Sequence, residues 1–177
     1  MGIPPGRDHG AEPSQGILRI LGIDPGTVAT GWGVVETSRS SLAHVAHGAI
    51  SSPSGHNQGN RLCRIYQGLQ EVLARYRPQG VSLEKVFFAR NPQSALKLGQ
   101  ARGVALLAAA QNRVEVREYS SAEIKVAVVG YGQATKEQVQ KMVASLLHLP
   151  GKLPGDAADA LAAAICYLHQ SSFHARV

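Results

Sequence analysis

The chain has 177 residues, 44% hydrophobic and 17% charged, with 18 Lys and Arg against 12 Asp and Glu for a formal net charge of +6. That balance gives one well-buried domain and excludes both wholesale disorder and two comfortable domains. The longest apolar run, residues 160–168, falls far short of the ~18 residues of a membrane span, and the first 16 residues lack the apolar stretch of a secretory signal. A cytoplasmic protein with no membrane partner is therefore expected. The two cysteines, Cys63 and Cys166, both sit in apolar helical patterns and read as reduced core residues, so neither a disulfide framework nor a Cys-rich zinc site is available.

Residues 1–16 are rich in Gly and Pro with nothing to bury and read as a flexible extension. The ordered domain is expected over 17–170, with a short tail at 171–177. Residues 17–23 (ILRILGI) form a branched, apolar run closed by Asp24-Pro25-Gly26, a buried strand running into a turn. Residues 31–36 and 43–50 read as two further strands, which together predict a three-stranded antiparallel meander. The period then changes to 3.6: Leu62, Ile65, Leu69, Val72, Leu73 and Tyr76 share a helix face, and Pro78-Gln79-Gly80 stops it. Residues 81–87 form the next strand. Asn91 caps a helix with Pro92 at its first position, running to about Ala110. After a strand at 114–119, Ser120/Glu123 and Thr135/Gln138 each fit a capping box, so two helices begin there. A last Ala-rich helix starts at Gly155 and ends near His169. The expected class is α/β, a mixed sheet with helices on its faces.

The acids carry the chemistry. Only four Asp occur in this basic chain, Asp8, Asp24, Asp156 and Asp159. Asp24 stands at the C-terminal end of a buried strand, where open α/β sheets place ligands. Glu84 lies near the end of another strand, and Asp156 and Asp159 are three apart on one helix face. Brought together, four carboxylates raise one another's pKa, and hard divalent cations, Mg²⁺ or Mn²⁺, relieve the conflict. Two such ions activate water and stabilise the leaving oxygen in phosphodiester cleavage. An acidic centre on a basic protein points to a nuclease. Taken singly, each acid also has a plainer reading: Asp24 as a turn residue, Glu84 at a solvated sheet edge, Asp156 as a helix N-terminal acid.

Three segments, ILGIDPGTVATGWGVV, LEKVFFARNPQSALKLGQARGVALLAAA and DAADALAAAICYLH, closely resemble the RuvC family of Holliday-junction resolvases, over about residues 17–170. The resemblance implies an RNase H-like fold: a five-stranded mixed sheet, the meander followed by parallel strands, flanked by helices. It places four acidic ligands on Asp24, Glu84, Asp156 and Asp159, where some members carry His at the position of Asp156. It implies metal-dependent hydrolysis of two symmetric phosphodiesters in four-way junction DNA during recombination and repair, by a homodimer working with the RuvAB branch-migration complex. Phe87 matches an aromatic that stacks on a base at the crossover, and Lys125 and Lys136 match basic residues that support phosphate binding. Arg90 and Asn91, in the following loop, are candidate DNA contacts. Core packing for Phe87, a solvated surface for the lysines and a helix cap for Asn91 are the plainer alternatives.

Two rivals belong to other classes. Gly22-Ile23-Asp24-Pro25-Gly26-Thr27 also resembles the first phosphate motif of actin-like ATPases and sugar kinases, which need two lobes where this length supplies one. A junction-binding module without catalysis would lack one of the carboxylates. His44 and His47, three apart in a strand, are expected to face opposite sides of the sheet. Gly99 and Gly103 permit close helix approach, either across a dimer interface or inside the monomer.

Overall fold

The computed structural model describes residues 16–26, 28–38, 41–51, 55, 57–85 and 92–174. Ile17–Asp24 (β1), Ala29–Ser38 (β2) and Ser41–Ser51 (β3) pair antiparallel in chain order, as the meander required. Gly80–Glu84 (β4) then joins the other side of β1 in parallel, and Glu115–Tyr119 (β5) follows it in parallel, giving the order β3-β2-β1-β4-β5. The helices are Gln58–Tyr76 (α1), Pro92–Gln111 (α2), Ser121–Val129 (α3), Lys136–Leu146 (α4) and Gly155–His174 (α5).

Period-two alternation along β1 feeds two cores. Leu21 and Ile23 pack with Ile65, Leu69 and Val72 of α1 and with Ala101, Ala105 and Ala108 of α2. Ile20 points the other way, into a core with Ile124 of α3, Val139 and Val143 of α4, and Leu161 and Ile165 of α5. Each fully buried aliphatic side chain contributes about 1.5–3 kcal/mol, so the sheet is clamped from both faces. Arg19, only 4% exposed, ties these layers together. Its guanidinium pairs with Glu36 across β1 and β2 at 2.9 Å and donates to the Tyr76 carbonyl at the end of α1. That helix ends with Arg77 in the left-handed region, its N–H donating to the Leu73 carbonyl.

The contact that matters most for function is between α5 and the sheet. Gly22 and Gly33 are register partners on β1 and β2, and Gly31 pairs with Asp24. A Cβ on Gly22 would stand 1.8 Å from the Ala160 carbonyl oxygen, and one on Gly31 would stand 2.1 Å from that of Asp156. On Gly33 it would meet the Leu161 side chain at 2.6 Å. On β4, buried Ser82 donates its hydroxyl to the Ala163 carbonyl at 2.7 Å. Small residues on the strands meet a helix whose own inner face is largely alanine, so the two backbones approach closely.

The structure departs from the sequence reading at several points. β4 ends at Glu84, short of the expected Phe87, and Phe87, Arg90 and Asn91 lie outside the described residues, as do residues 1–15. α5 runs to His174, beyond His169 and into the expected tail, because no breaker interrupts it and its last turns are anchored. His169 bonds to the Ala127 carbonyl at 2.9 Å, and Arg117 reaches the Ser171 hydroxyl. Cys63 is exposed while Cys166 is buried. Two residues before Ile65, Cys63 falls about 200° around the helix from the stripe that packs. Burial pushes the Cys166 thiol up to about 12.

His44 and His47 do not face opposite sides. A bulge in β3 lets Ala46 pair with Val34 and His44 with Val35, leaving Val45 unpaired. The extra residue restores both histidines to one face, where their rings hydrogen-bond at 2.8 Å.

The glycine contacts give a direct test. Gly22→Ala is expected to lower unfolding free energy by about 3 kcal/mol or more, since backbone rather than a mobile side chain must yield. Denaturant unfolding of the purified variant measures it, and a loss below ~1 kcal/mol would mean that α5 lies farther from β1 than described.

Candidate active site

Parallel pairing of β1 with β4 sets Ile23 beside Leu83, so the next residues, Asp24 and Glu84, end adjacent strands at the same edge of the sheet. The start of α5 crosses this edge. Gly31, the partner of Asp24 on β2, lies beneath Asp156, and Asp159 follows one turn later. All four acids singled out from the sequence therefore come to one end of the sheet.

Their fields overlap. Asp24 has its carboxyl raised to about 7, first by burial and then by Asp159, Glu84 and Asp156, with Lys136 opposing. Glu84 is also raised, chiefly by burial and further by Asp159; a hydrogen bond from Ser121 and the positive charges of Lys125 and Lys136 oppose that rise. Asp156 is exposed. Lys136, the first residue of α4, places its Nζ 2.6 Å from Asp159 Oδ2, and the carboxylate raises the lysine's pKa in return.

Both expected lysines thus reach the acids. Thr135 and Gln138 form the predicted capping box that fixes the start of α4, and Ser120 and Glu123 do the same for α3. Lys125 sits one turn into α3, half-buried. Among the described residues, no three Asp, Glu, His or Cys side chains are drawn into a closed metal cluster; Asp159 is engaged by an ammonium instead. The donors are all carboxylate oxygens, which suit hard divalent cations, and a carboxyl held up near 7 by burial and by its acidic neighbours is one whose charge a nearby cation would restore.

Ser121 was not legible as a site residue. The sequence shows it only as the position after the cap, and the signal that it was spare is that Ser120 alone satisfies the capping box. Gly31 was likewise hidden, since its role is to admit Asp156 from a distant helix.

The match to known proteins is extensive. The family model described as crossover junction endodeoxyribonuclease RuvC matches residues 20–167. The chain belongs to the RuvC family of crossover junction endodeoxyribonucleases. It is 51% identical to the RuvC of Geobacter metallireducens over 154 residues, covering 87% of this chain and 94% of that one. With the RuvC of Syntrophotalea carbinolica it shares 53% identity, covering 86% and 94% respectively. Among solved structures, Thermus thermophilus RuvC in complex with a Holliday junction substrate superimposes with a TM-score of 0.84 at 33% identity, covering 89% of this chain and 96% of that one. The yeast mitochondrial Holliday junction resolvase, 13% identical with a TM-score of 0.65, shares the fold. The chain is thus a RuvC endonuclease with the RNase H-like fold the sequence implied, and the kinase-like and non-catalytic rivals fall away. No helix among the described residues is long and apolar enough to cross a membrane.

The raised Asp24 carboxyl sets a pH dependence. The folded protein holds a proton there up to about 7, whereas the unfolded chain releases it near 3.8. Between those values the folded state binds more protons, so stability without added metal falls as pH rises. Thermal melting in chelator is expected to give a lower Tm at pH 7.5 than at pH 5.5, and Asp24→Asn should flatten that difference. An unchanged slope in Asp24→Asn would remove Asp24 as its source.

Proposed function

We propose that Asp24, Glu84, Asp156 and Asp159 are the catalytic acids and divalent-cation ligands of a resolvase that cuts two symmetric strands of a four-way DNA junction. The observation that carries this reading is the raised Asp24 carboxyl, which feels all three other acids though they come from β4 and α5. Mg²⁺ or Mn²⁺, two per site, would supply a water activated as nucleophile and charge stabilisation for the leaving oxygen. The chain's own residues do the rest. Asp24 and Glu84, fixed at adjacent strand ends, set the floor of the site. Asp156 and Asp159 close it from the helix. The hydrogen bond from Ser121 favours the ionised form of Glu84 against the opposing effect of burial. Lys125 and Lys136 offset the carboxylates and draw in the phosphate backbone, Lys136 from a helix N-terminus where free N–H groups also favour phosphate. Phe87, three residues beyond Glu84, serves as the base-stacking aromatic at the crossover, with Arg90 and Asn91 as further DNA contacts. The enzyme would act in the cytoplasm, on junctions delivered by RuvAB.

Two cuts related by a two-fold axis call for two sites related in the same way, and a C2 homodimer provides them. The exposed stripe of α2 supports this assembly. Leu96 is 69% and Leu107 52% exposed, and Gly99 and Gly103 between them have open space where a Cβ would stand. Close packing of these two glycines inside the monomer is therefore not what they serve. A second copy of the same stripe is small where this one is small, so helix can meet helix.

Incubation with a labelled mobile junction, a linear duplex and a fork tests the activity. Paired, metal-dependent nicks are expected in the junction alone. Asp24→Asn, Glu84→Gln and Asp159→Asn should each lose more than the ~10–100-fold that removing an outer-shell partner costs, with junction binding retained. Near-wild-type cutting by the Asp24 or Glu84 variant would sink the site assignment. In sedimentation, the wild type is expected to run as a dimer and Gly99→Leu as a weakened one. A wild type that stays monomeric on junction DNA yet cuts both strands together would overturn the assembly.

A further inference from the structure

The ion pair between Lys136 and Asp159 does not look like a structural tie. Lys136 is 57% exposed at its side chain and Asp159 24%, and a pair at that exposure is worth only about 0–1 kcal/mol, so the ammonium can leave its partner cheaply. Its placement also runs against local preference. The first residue of a helix faces the positive end of the macrodipole, where an acid is favoured and a lysine is not; Glu137 beside it follows the rule and Lys136 breaks it. Such local exceptions concentrate at functional positions. Gly155 lies beside the ammonium, the position a Cβ would take standing 3.8 Å from both Cε and Nζ of Lys136, an ordinary van der Waals distance.

We propose that Lys136 is a displaceable counter-ion, its ammonium occupying Asp159 until a divalent cation takes that carboxylate and leaves the ammonium free for a DNA phosphate. This rests on the reading of the four acids as cation ligands. Lys136 and the cation then compete for Asp159, while the phosphate and Asp159 compete for Lys136. Through this exchange cation and phosphate assist each other's binding, and the coupling is reciprocal. No covalent step is involved; one ammonium changes partners. Before DNA arrives, the acids carry a built-in positive charge that lowers their cost of coexistence and keeps the cation loosely held.

Mn²⁺ binding to the DNA-free protein, read by electron paramagnetic resonance of the free ion, separates these roles from cleavage. Lys136→Gln is expected to bind Mn²⁺ roughly two- to fivefold more tightly than wild type, the range set by an exposed ion pair. Lys136→Arg keeps the charge and should match wild type. Lys141→Gln, on the same helix and also exposed, removes a charge away from the acids and should shift affinity less than Lys136→Gln does. Equal or weaker Mn²⁺ binding by Lys136→Gln, or an equal gain from Lys141→Gln, would overturn the proposal while leaving the acid site intact. Loss of Mn²⁺ binding in Asp24→Asn, seen as an undiminished free-ion signal, is the separate check on the acids. If that variant binds like wild type, the ligand assignment fails, and the counter-ion role with it.

Discussion

Everything at the acidic edge of the sheet depends on how near α5 comes to it. Asp24 and Glu84 are placed by strand register, but Asp156 and Asp159 belong to a helix that arrives about seventy residues later in the chain than β4. What lets it arrive is the absence of side chains at Gly22, Gly31 and Gly33, each of which would otherwise drive atoms into α5. The helix answers with Ala157, Ala158, Ala160, Ala162, Ala163 and Ala164, all buried. Gly in a strand costs pairing strength and conformational entropy, and the register shows why that cost is tolerated here: the glycine beneath Asp156 is the pairing partner of Asp24.

Close approach creates an electrostatic problem that the rest of the chain must answer. Burial and like charge together lift Asp24 to about 7, so the fold holds carboxylates where they would rather be protonated. Not every base is available for relief. Arg19, Arg102 and Arg117 are paired with Glu36, Glu118 and Glu115, and these pairs cancel, leaving the net charge of +6 to the remaining side chains. Among the described residues, Lys136 and Lys125 are cations whose fields reach Asp24 and Glu84. The same excess that draws a polyanion toward the surface thus has a local representative inside the site.

What could be read without coordinates followed short-range rules. The meander and the capping boxes at Ser120 and Thr135 are written in residues a few positions apart, where period and cap chemistry suffice, whereas the four acids stood out only weakly one by one and were joined by the family resemblance. What could not be read depends on counting or on contacts across the chain. One inserted residue, Val45, reverses the parity that predicted His44 and His47 on opposite faces. A helical phase error put exposed Cys63 in the core. Nothing in the sequence around Ser121 announces a carboxylate on β4, and nothing around Lys136 announces Asp159, since each partner lies on another element.

The lysine also shows how fold and chemistry share one source of order. Its backbone is set by the Thr135–Gln138 box, and α4 is held by Val139 and Val143 in the same core that holds Leu161 and Ile165 of α5. Ammonium and carboxylate therefore ride on two helices whose apolar faces pack together, and their separation is fixed by that packing while their bond remains solvent-facing and weak. A rigid frame with a loose charge at its rim lets the charge move without moving the helices. Substitutions that loosen this core would widen the spread of distances between Lys136 and Asp159, disturbing the site's charge balance without touching any of its four acids.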